Sequence, residues 1–299
     1  AGASLGSIYI TGLAMPLVKL TGGGNQRLGF VFTAAIFGIL GIIGFEVVAR
    51  NCKERYLEPS TVATATGDRP KGNILKTYKD ALHNRPWAVA VLLSLLLFIR
   101  IGVIVAITIY FAMYVLNNPA LISILLPLLY VGQLISSLFS AQLIAKVGHR
   151  NANIIAQIGF IASYLILPFI ENNIPLFLAV YLAGNVIGAV SAASVFGMSA
   201  DSVDYNEWRF GERSEGTLYA GYSFATKVGM AIGSAIAGYA LSWIGYNANH
   251  ITAGVVHGLN VLFFVIPIIL SILMLITVLF YNLDHQHEQI VSDLAKREK

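Results

Sequence analysis

The sequence predicts an all-α membrane protein with eight transmembrane helices. Three observations carry this. Of 299 residues, 57% are hydrophobic and only 11% are charged, against about 25% charged in a soluble domain. The mean hydropathy is +0.73. Apolar runs of about 20 residues recur, long enough to cross a hydrocarbon core of about 30 Å, and the charges gather between them. Backbone groups in lipid must bond within their own segment, so each run is expected to be a helix.

The spans are expected near 1–20, 28–49, 87–116, 120–144, 152–170, 174–199, 216–243 and 257–281. Turn-forming residues separate several of them: Gly22-Gly23-Gly24-Asn25, Asn117-Asn118-Pro119, Asn172-Asn173-Ile174-Pro175 and Gly245-Tyr246-Asn247. Fifteen of the 19 basic residues fall in the 50–86 stretch, the Lys146/Arg150 connector, the Arg209/Arg213 connector and the tail. The opposite connectors hold only Lys19 and Arg27. The positive-inside rule makes the basic side cytosolic and puts the C-terminus there, in a multi-pass cell-membrane protein. The net charge of +4 fits that bias and gives no reason to expect nucleic acid as a partner. A single cysteine, Cys52, excludes an internal disulfide and a cysteine-based zinc site. The six histidines are scattered without metal spacing, His285 and His287 in an exposed tail, and the glycine triplet lacks a phosphate-loop ending. No nucleophile–base pairing or mid-span acid cluster marks an enzyme.

The polar stretch 51–86 divides the spans, two before it and six after. The chain opens at Ala1 with neither a methionine nor a basic n-region, so its first span reads as an interior helix rather than a signal peptide. Many secondary transporters are built from two related halves. The expected organisation is therefore residues 1–50 as the last two helices of an N-terminal half, with four further helices upstream. Residues 51–86 are a cytosolic linker, 87–283 a six-helix C-terminal half and 284–299 a cytosolic tail. A self-contained eight-span protein is the alternative.

Lys227 is the sharpest single residue. It lies 11 positions past Gly216, roughly 16 Å along a helix and half the hydrocarbon thickness. A lysine there costs at least about 2.5 kcal/mol and marks a functional site by default. No Asp or Glu lies mid-span to pair it; Glu46 sits near a helix end. Its face carries Ala220, Ser223, Ala231, Ser234 and Gly238. Gly221, Ala225, Gly229, Gly233 and Ala237 form a small-residue ridge nearly opposite, suited to close helix packing. Gln133 (with Tyr130, Ser137 and Ser140 on its face), Asn185 (near Tyr181 and Ser191) and Arg100, in the outer half of the third span, are the other intramembrane polar residues. Each alone suits an interhelical hydrogen bond; together they suit a polar cavity for a neutral polyhydroxylated solute. Lys227, Ser223, Gln133, Asn185 and Arg100 are thus the expected cation and substrate site.

The stretch 201–215 packs Asp201, Asp204, Glu207, Arg209, Arg213 and Glu215 around Tyr205, Trp208 and Phe210. A charge run is usually a solvated connector. Mixed signs and embedded aromatics point instead to a folded, interacting loop, and with Lys146 and Arg150 to a cytosolic gate.

ADSVDYNEWRFGERSEG followed by FATKVGMAIG resembles the signature of the glycoside–pentoside–hexuronide:cation symporters, the melibiose-carrier family of the major facilitator superfamily. Asp201, Asp204, Tyr205, Glu207, Arg213, Glu215, Lys227 and Gly229 fit the pattern, with Arg209 in place of its usual lysine. Lys146-Val147-Gly148-His149-Arg150 is similar to a basic connector of the family's C-terminal half, and Met15-Pro16-Leu17-Val18 to its fifth helix. The resemblance implies a major-facilitator helical bundle. It also implies symport of a sugar or glycoside with Na⁺, H⁺ or Li⁺ by alternating access, with no cofactor and with Lys227 near both sites. The family's main cation- and sugar-binding carboxylates lie on early helices outside this sequence. A transporter of another small solute and a non-transporting membrane sugar sensor are the alternatives.

Overall fold

The computed structural model describes residues 2–52, 80–211 and 214–297, and these are helical without strands. Most of the expected 51–86 linker and Arg213 lie outside the described residues.

Helices α1 (Gly2–Gly22) and α2 (Gln26–Asn51) are joined where Gly23 and Gly24 take φ of +52° and +96°, a region open to glycine. Asn25 caps α2 by accepting from the N–H groups of Arg27 and Leu28 at 3.1 and 3.4 Å. Asn84 caps α3 (Arg85–Tyr110), which runs on through a π-turn at Phe111–Val115. Helix α4 (Ile122–Ile166) is followed by α5 (Ile174–Phe210) and α6 (Glu215–Trp243). Helix α7 (Ala253–Asn260) passes through a second π-turn, Val261–Val265, into α8 (Ile266–Val278). A short helix α9 (His287–Arg297) closes the described chain.

Among the described residues, seven helices are long and apolar enough to span a membrane. Helix α4 accounts for the difference from eight. Its 45 residues would reach about 67 Å if straight, twice the hydrocarbon thickness. It breaks at Gly148, with φ 82° and ψ 167°, so its two arms correspond to the fourth and fifth expected spans. The expected connector shrinks to one residue because Gly148 alone departs from helical backbone.

The sixth span also differs from expectation. Residues 201–210 are not a loop: α5 continues through them to Phe210 and stops at Gly211 in the left-handed conformation, φ 76°. Ala200 to Phe210 contains no glycine or proline, so nothing breaks the helix before Gly211. The last span runs Ala253–Val278, a few residues earlier than 257–281. The tail is not wholly exposed, since α9 packs against α5 and buries Ile290.

The spans α3 to α8 share an aromatic core in which the two π-turns meet. Phe111 stacks on Phe263 with ring centroids 3.9 Å apart, and Phe177, Tyr164 and Tyr181 pack around them. Helix α1 packs on α2 and α4, while α2 buries only Gly29 and Thr33.

The small-residue ridge of α6 packs as its pattern predicts. Ala225, Gly229, Gly233 and Ala237 are buried, and α3 lies directly against them. A Cβ on Gly233 would stand 2.3 Å from the carbonyl oxygen of Ile99, and one on Gly102 2.9 Å from that of Met230. Without a hydrophobic force between helices in lipid, such backbone contact holds them together. Gly233→Val is therefore expected to destabilise the detergent-solubilised protein by about 1–3 kcal/mol, the usual range for overpacking. A thermal unfolding midpoint equal to the unsubstituted protein's would refute this.

Candidate functional site

Near the middle of the bundle, α3, both arms of α4 and α5 enclose a small recess with a cavity volume of about 30 Å³. Arg100, Gln133 and Asn185 supply its polar groups, among Leu97, Leu129, Phe160 and other apolar neighbours. Gly132 and Gly188 bring the walls together: their Cβ positions lie 3.0 Å from the Cβ of Asn185 and 2.7 Å from the ring of Phe160.

Arg100 sits at the centre of the 31-residue run Arg85–Val115, not in its outer half. It is 3% exposed. Its Nη1 donates to Gln157 Oε1 at 2.9 Å and to Ser271 Oγ at 2.7 Å. The guanidinium carbon lies 4.0 Å over the Phe160 ring. Asn185 is buried and donates to the Tyr181 carbonyl at 2.8 Å. Gln133 is half-buried.

Lys227 and Ser223 do not line this recess. They lie on the exposed face of α6 with Ala220, Ala231, Ser234 and Gly238, all exposed. Lys227 stands mid-helix, and among the described residues it makes no hydrogen bond or ion pair. The structure thus brings three of the five intramembrane residues together and sets two apart.

A buried polar column that the sequence reading missed leads away from the recess. Gln157 donates through Nε2 to Ser191 Oγ at 2.5 Å, and Ser191 donates to Asn153 Oδ1 at 2.7 Å. Asn153 donates to Ser194 Oγ at 2.7 Å, and Ser194 to the His149 carbonyl at 2.9 Å. The signal was available: Asn153 and Gln157 are one helical turn apart, as are Ser191 and Ser194, on consecutive spans.

The column ends at the charged end of the bundle. Asp201 lies between two histidines, His149 Nε2 at 3.5 Å and His287 Nε2 at 3.5 Å. His287 also lies 3.3 Å from Asp204, so it belongs to this cluster and not to an exposed tail. Tyr281 donates to Asp201 at 3.5 Å. Burial, together with the Asp201 and Asp284 carboxylates, holds the Tyr281 phenol well above its ordinary pKa, which keeps it a donor. The backbone N–H of Arg150 donates to Asp284 Oδ2 at 2.8 Å, and Arg150 Nη1 to Asn282 at 3.4 Å. Asp284 occupies the space beside Gly148, where a Cβ would stand 2.7 Å from its Oδ2. Arg209 donates to the Tyr205 hydroxyl and lies near the Tyr205 and Phe210 rings. Lys146 is exposed, Glu207 is half-buried, and Glu215 opens α6. The close contacts of Asp201 thus run to histidines flanking the expected gate residues.

Fold and recess together define a multi-pass helical membrane protein with a polar pocket inside an apolar bundle. The chain belongs to the MFS/sugar transport protein family, whose model matches residues 1–285. That family is one of transport proteins. It is 30% identical over 99% of its length to a Salmonella typhimurium protein proposed as a 2,3-dihydroxypropane-1-sulfonate exporter, covering 64% of that protein. It is 30% identical over 98% of its length to the isoprimeverose transporter of Lactiplantibacillus pentosus, covering 61%. A proposed glycoside/cation symporter of Escherichia coli is 28% identical over 98% of the chain and 63% covered. The chain therefore spans somewhat under two thirds of the length of these relatives.

Proposed function

We propose that this chain forms part of a secondary active transporter that carries a sugar or glycoside together with a monovalent cation by alternating access. The observation that carries the reading is the recess: a buried arginine and two amides at mid-span, in a chain of the MFS/sugar transport family. Amides and a guanidinium in an apolar wall offer the fixed donors and acceptors a polyhydroxylated solute needs. The coupling ion is Na⁺, H⁺ or Li⁺. Lys227, on the exposed face of α6 away from the recess, serves cation coupling. Asp201, Asp204, Tyr205, Glu207, Arg209, Arg213, Glu215, Lys146 and Arg150 act on the cytosolic side, where the basic residues put the C-terminus. There they form a gate that holds while the carrier faces outward.

The test is uptake of labelled glycosides and pentosides by cells that lack their own carriers and express the whole carrier containing this chain. Accumulation above the external concentration, collapsing when the Na⁺, Li⁺ or proton gradient is removed, is the expected result. Equilibration without accumulation under every gradient would make it a facilitator instead. Absence of any sugar uptake would sink the reading.

A further inference from the structure

We infer that a cleft at the charged end of the bundle, between the start of α3, the end of α5 and the chain after α8, binds the phosphate of an anionic phospholipid. The inference stands apart from transport and needs only that the chain spans a membrane.

Four chain ends meet at this cleft, whose volume is about 210 Å³. Arg85 opens α3, Tyr205 and Arg209 lie near the end of α5, Phe280 and Asn282 follow α8, and Gln286 precedes α9. The wall holds two guanidinium groups, two amides and a phenol, and no carboxylate. Among the described residues neither Arg85 nor Arg209 forms an ion pair. Arg209 is placed before anything binds. It donates to the buried Tyr205 hydroxyl, and its guanidinium carbon lies 5.8 Å from the Tyr205 ring and 5.7 Å from the Phe210 ring. Arg150 reaches the rim, where its Nη1 donates to Asn282 at 3.4 Å.

Like charges facing one cleft repel, and a shared anion removes that cost. A phosphate offers several acceptor oxygens, which matches two forked guanidinium donors and the amides beside them. Basic pockets between spans at the membrane surface are suited to lipid headgroups. The apolar rim favours a lipid over free phosphate. Phe280 is 54% exposed, and Ile269, Leu273 and Ile276 are exposed at intervals of three or four residues leading up to it. This strip runs about 16 Å along α8 from the cleft toward the middle of the span. A glycerolipid with its phosphate in the cleft lays an acyl chain along the strip, whereas inorganic phosphate makes no use of it.

The experiment uses the whole carrier containing this chain, purified in neutral detergent. Its thermal midpoint is followed while dioctanoyl phosphatidylglycerol, dioctanoyl phosphatidylcholine or inorganic phosphate is added. Phosphatidylglycerol should raise the midpoint saturably, with half-saturation at a concentration tenfold or more below that of the other two. Arg85→Gln and Arg209→Gln should each weaken that effect tenfold or more. Lys296→Gln removes an exposed charge on α9, outside the cleft, and should leave it within twofold. Both arginines are exposed, so neither substitution opens the core. Equal action of phosphatidylcholine would overturn the inference, because the site would then not read charge. Inorganic phosphate acting as strongly as phosphatidylglycerol would overturn the assignment to a lipid. Loss of affinity in Lys296→Gln equal to that in Arg85→Gln would show diffuse surface attraction in place of a site. Full affinity in both arginine variants would remove the cleft from lipid binding altogether.

Discussion

Lys227→Ala is expected to abolish cation-driven accumulation while leaving the protein in the membrane and no less stable. The argument turns on what Lys227 does not touch. It lies 12 residues into α6 (Glu215–Trp243), about 18 Å along the axis, on a face whose neighbours are small and exposed. Among the described residues it pairs with nothing. A lysine that locked helices together would show such a partner, and its removal would destabilise the fold by several kcal/mol. Here removal takes away a charge that costs at least about 2.5 kcal/mol to hold at mid-span. The substitution should therefore change stability by no more than about 0.5 kcal/mol, or raise it. Coupling between cation and solute is a reciprocal binding free energy of about 1–3 kcal/mol, worth roughly 5–150-fold in affinity. Its loss should bring the internal-to-external solute ratio to one. Measuring that ratio alongside the thermal midpoint separates the two roles. Full accumulation by Lys227→Ala, or a midpoint lowered by several degrees with coupling intact, would assign Lys227 to packing.

Asp201→Asn should loosen the charged end of the bundle. Asp201 is where His149 of α4, His287 of α9 and Tyr281 converge, at 3.5 Å each. Its side chain is only 16% exposed. Losing the charge weakens three contacts that join the second arm of α4, the end of α5 and the chain after α8. A hydrogen bond to a charged group contributes about 1.5–3 kcal/mol, and exposure places this cluster toward the lower end. The expected result is faster amide exchange across His287–Arg297, by roughly tenfold, with exchange in the aromatic core unchanged. In transport, the proposed gate should close less well, so the carrier should lose accumulation without losing solute binding. Unchanged exchange in α9 would show that the short helix is held by Ile290 and its apolar contacts instead. Arg213→Glu probes the same gate from the neighbouring connector; unchanged uptake would remove Arg213 from it.

Helix number, helix type and the packing ridge of α6 were legible because each depends on local pattern. A run of apolar residues must become a helix in lipid, and glycine or alanine every four residues makes a face on which another backbone can rest. Boundaries were less legible where charge was taken as a sign of loop. Residues 201–210 are polar, yet they contain no helix breaker and α5 passes through them. Gly148 shows the converse: one glycine, unremarkable in composition, turns a 45-residue helix back across the membrane.

The site was legible in its members more than in their grouping. Arg100, Gln133 and Asn185 stand out as polar residues in apolar runs, which sequence alone shows, because the cost of burying them is set by residue type. That they share one recess, while Lys227 and Ser223 face elsewhere, depends on how four spans rotate about their axes, and no local pattern fixes that. The sequence by itself determined a helical membrane bundle, its intramembrane polar residues and a motif typical of its family. Only the tertiary structure decided that Arg100 is held by neutral partners, that Asn153, Gln157, Ser191 and Ser194 form one column, and that Asp201 meets His149 and His287. The hydrogen bonds that link Arg100 and this column across helices join residues 34 to 171 positions apart, and such contacts exist only once the helices have packed.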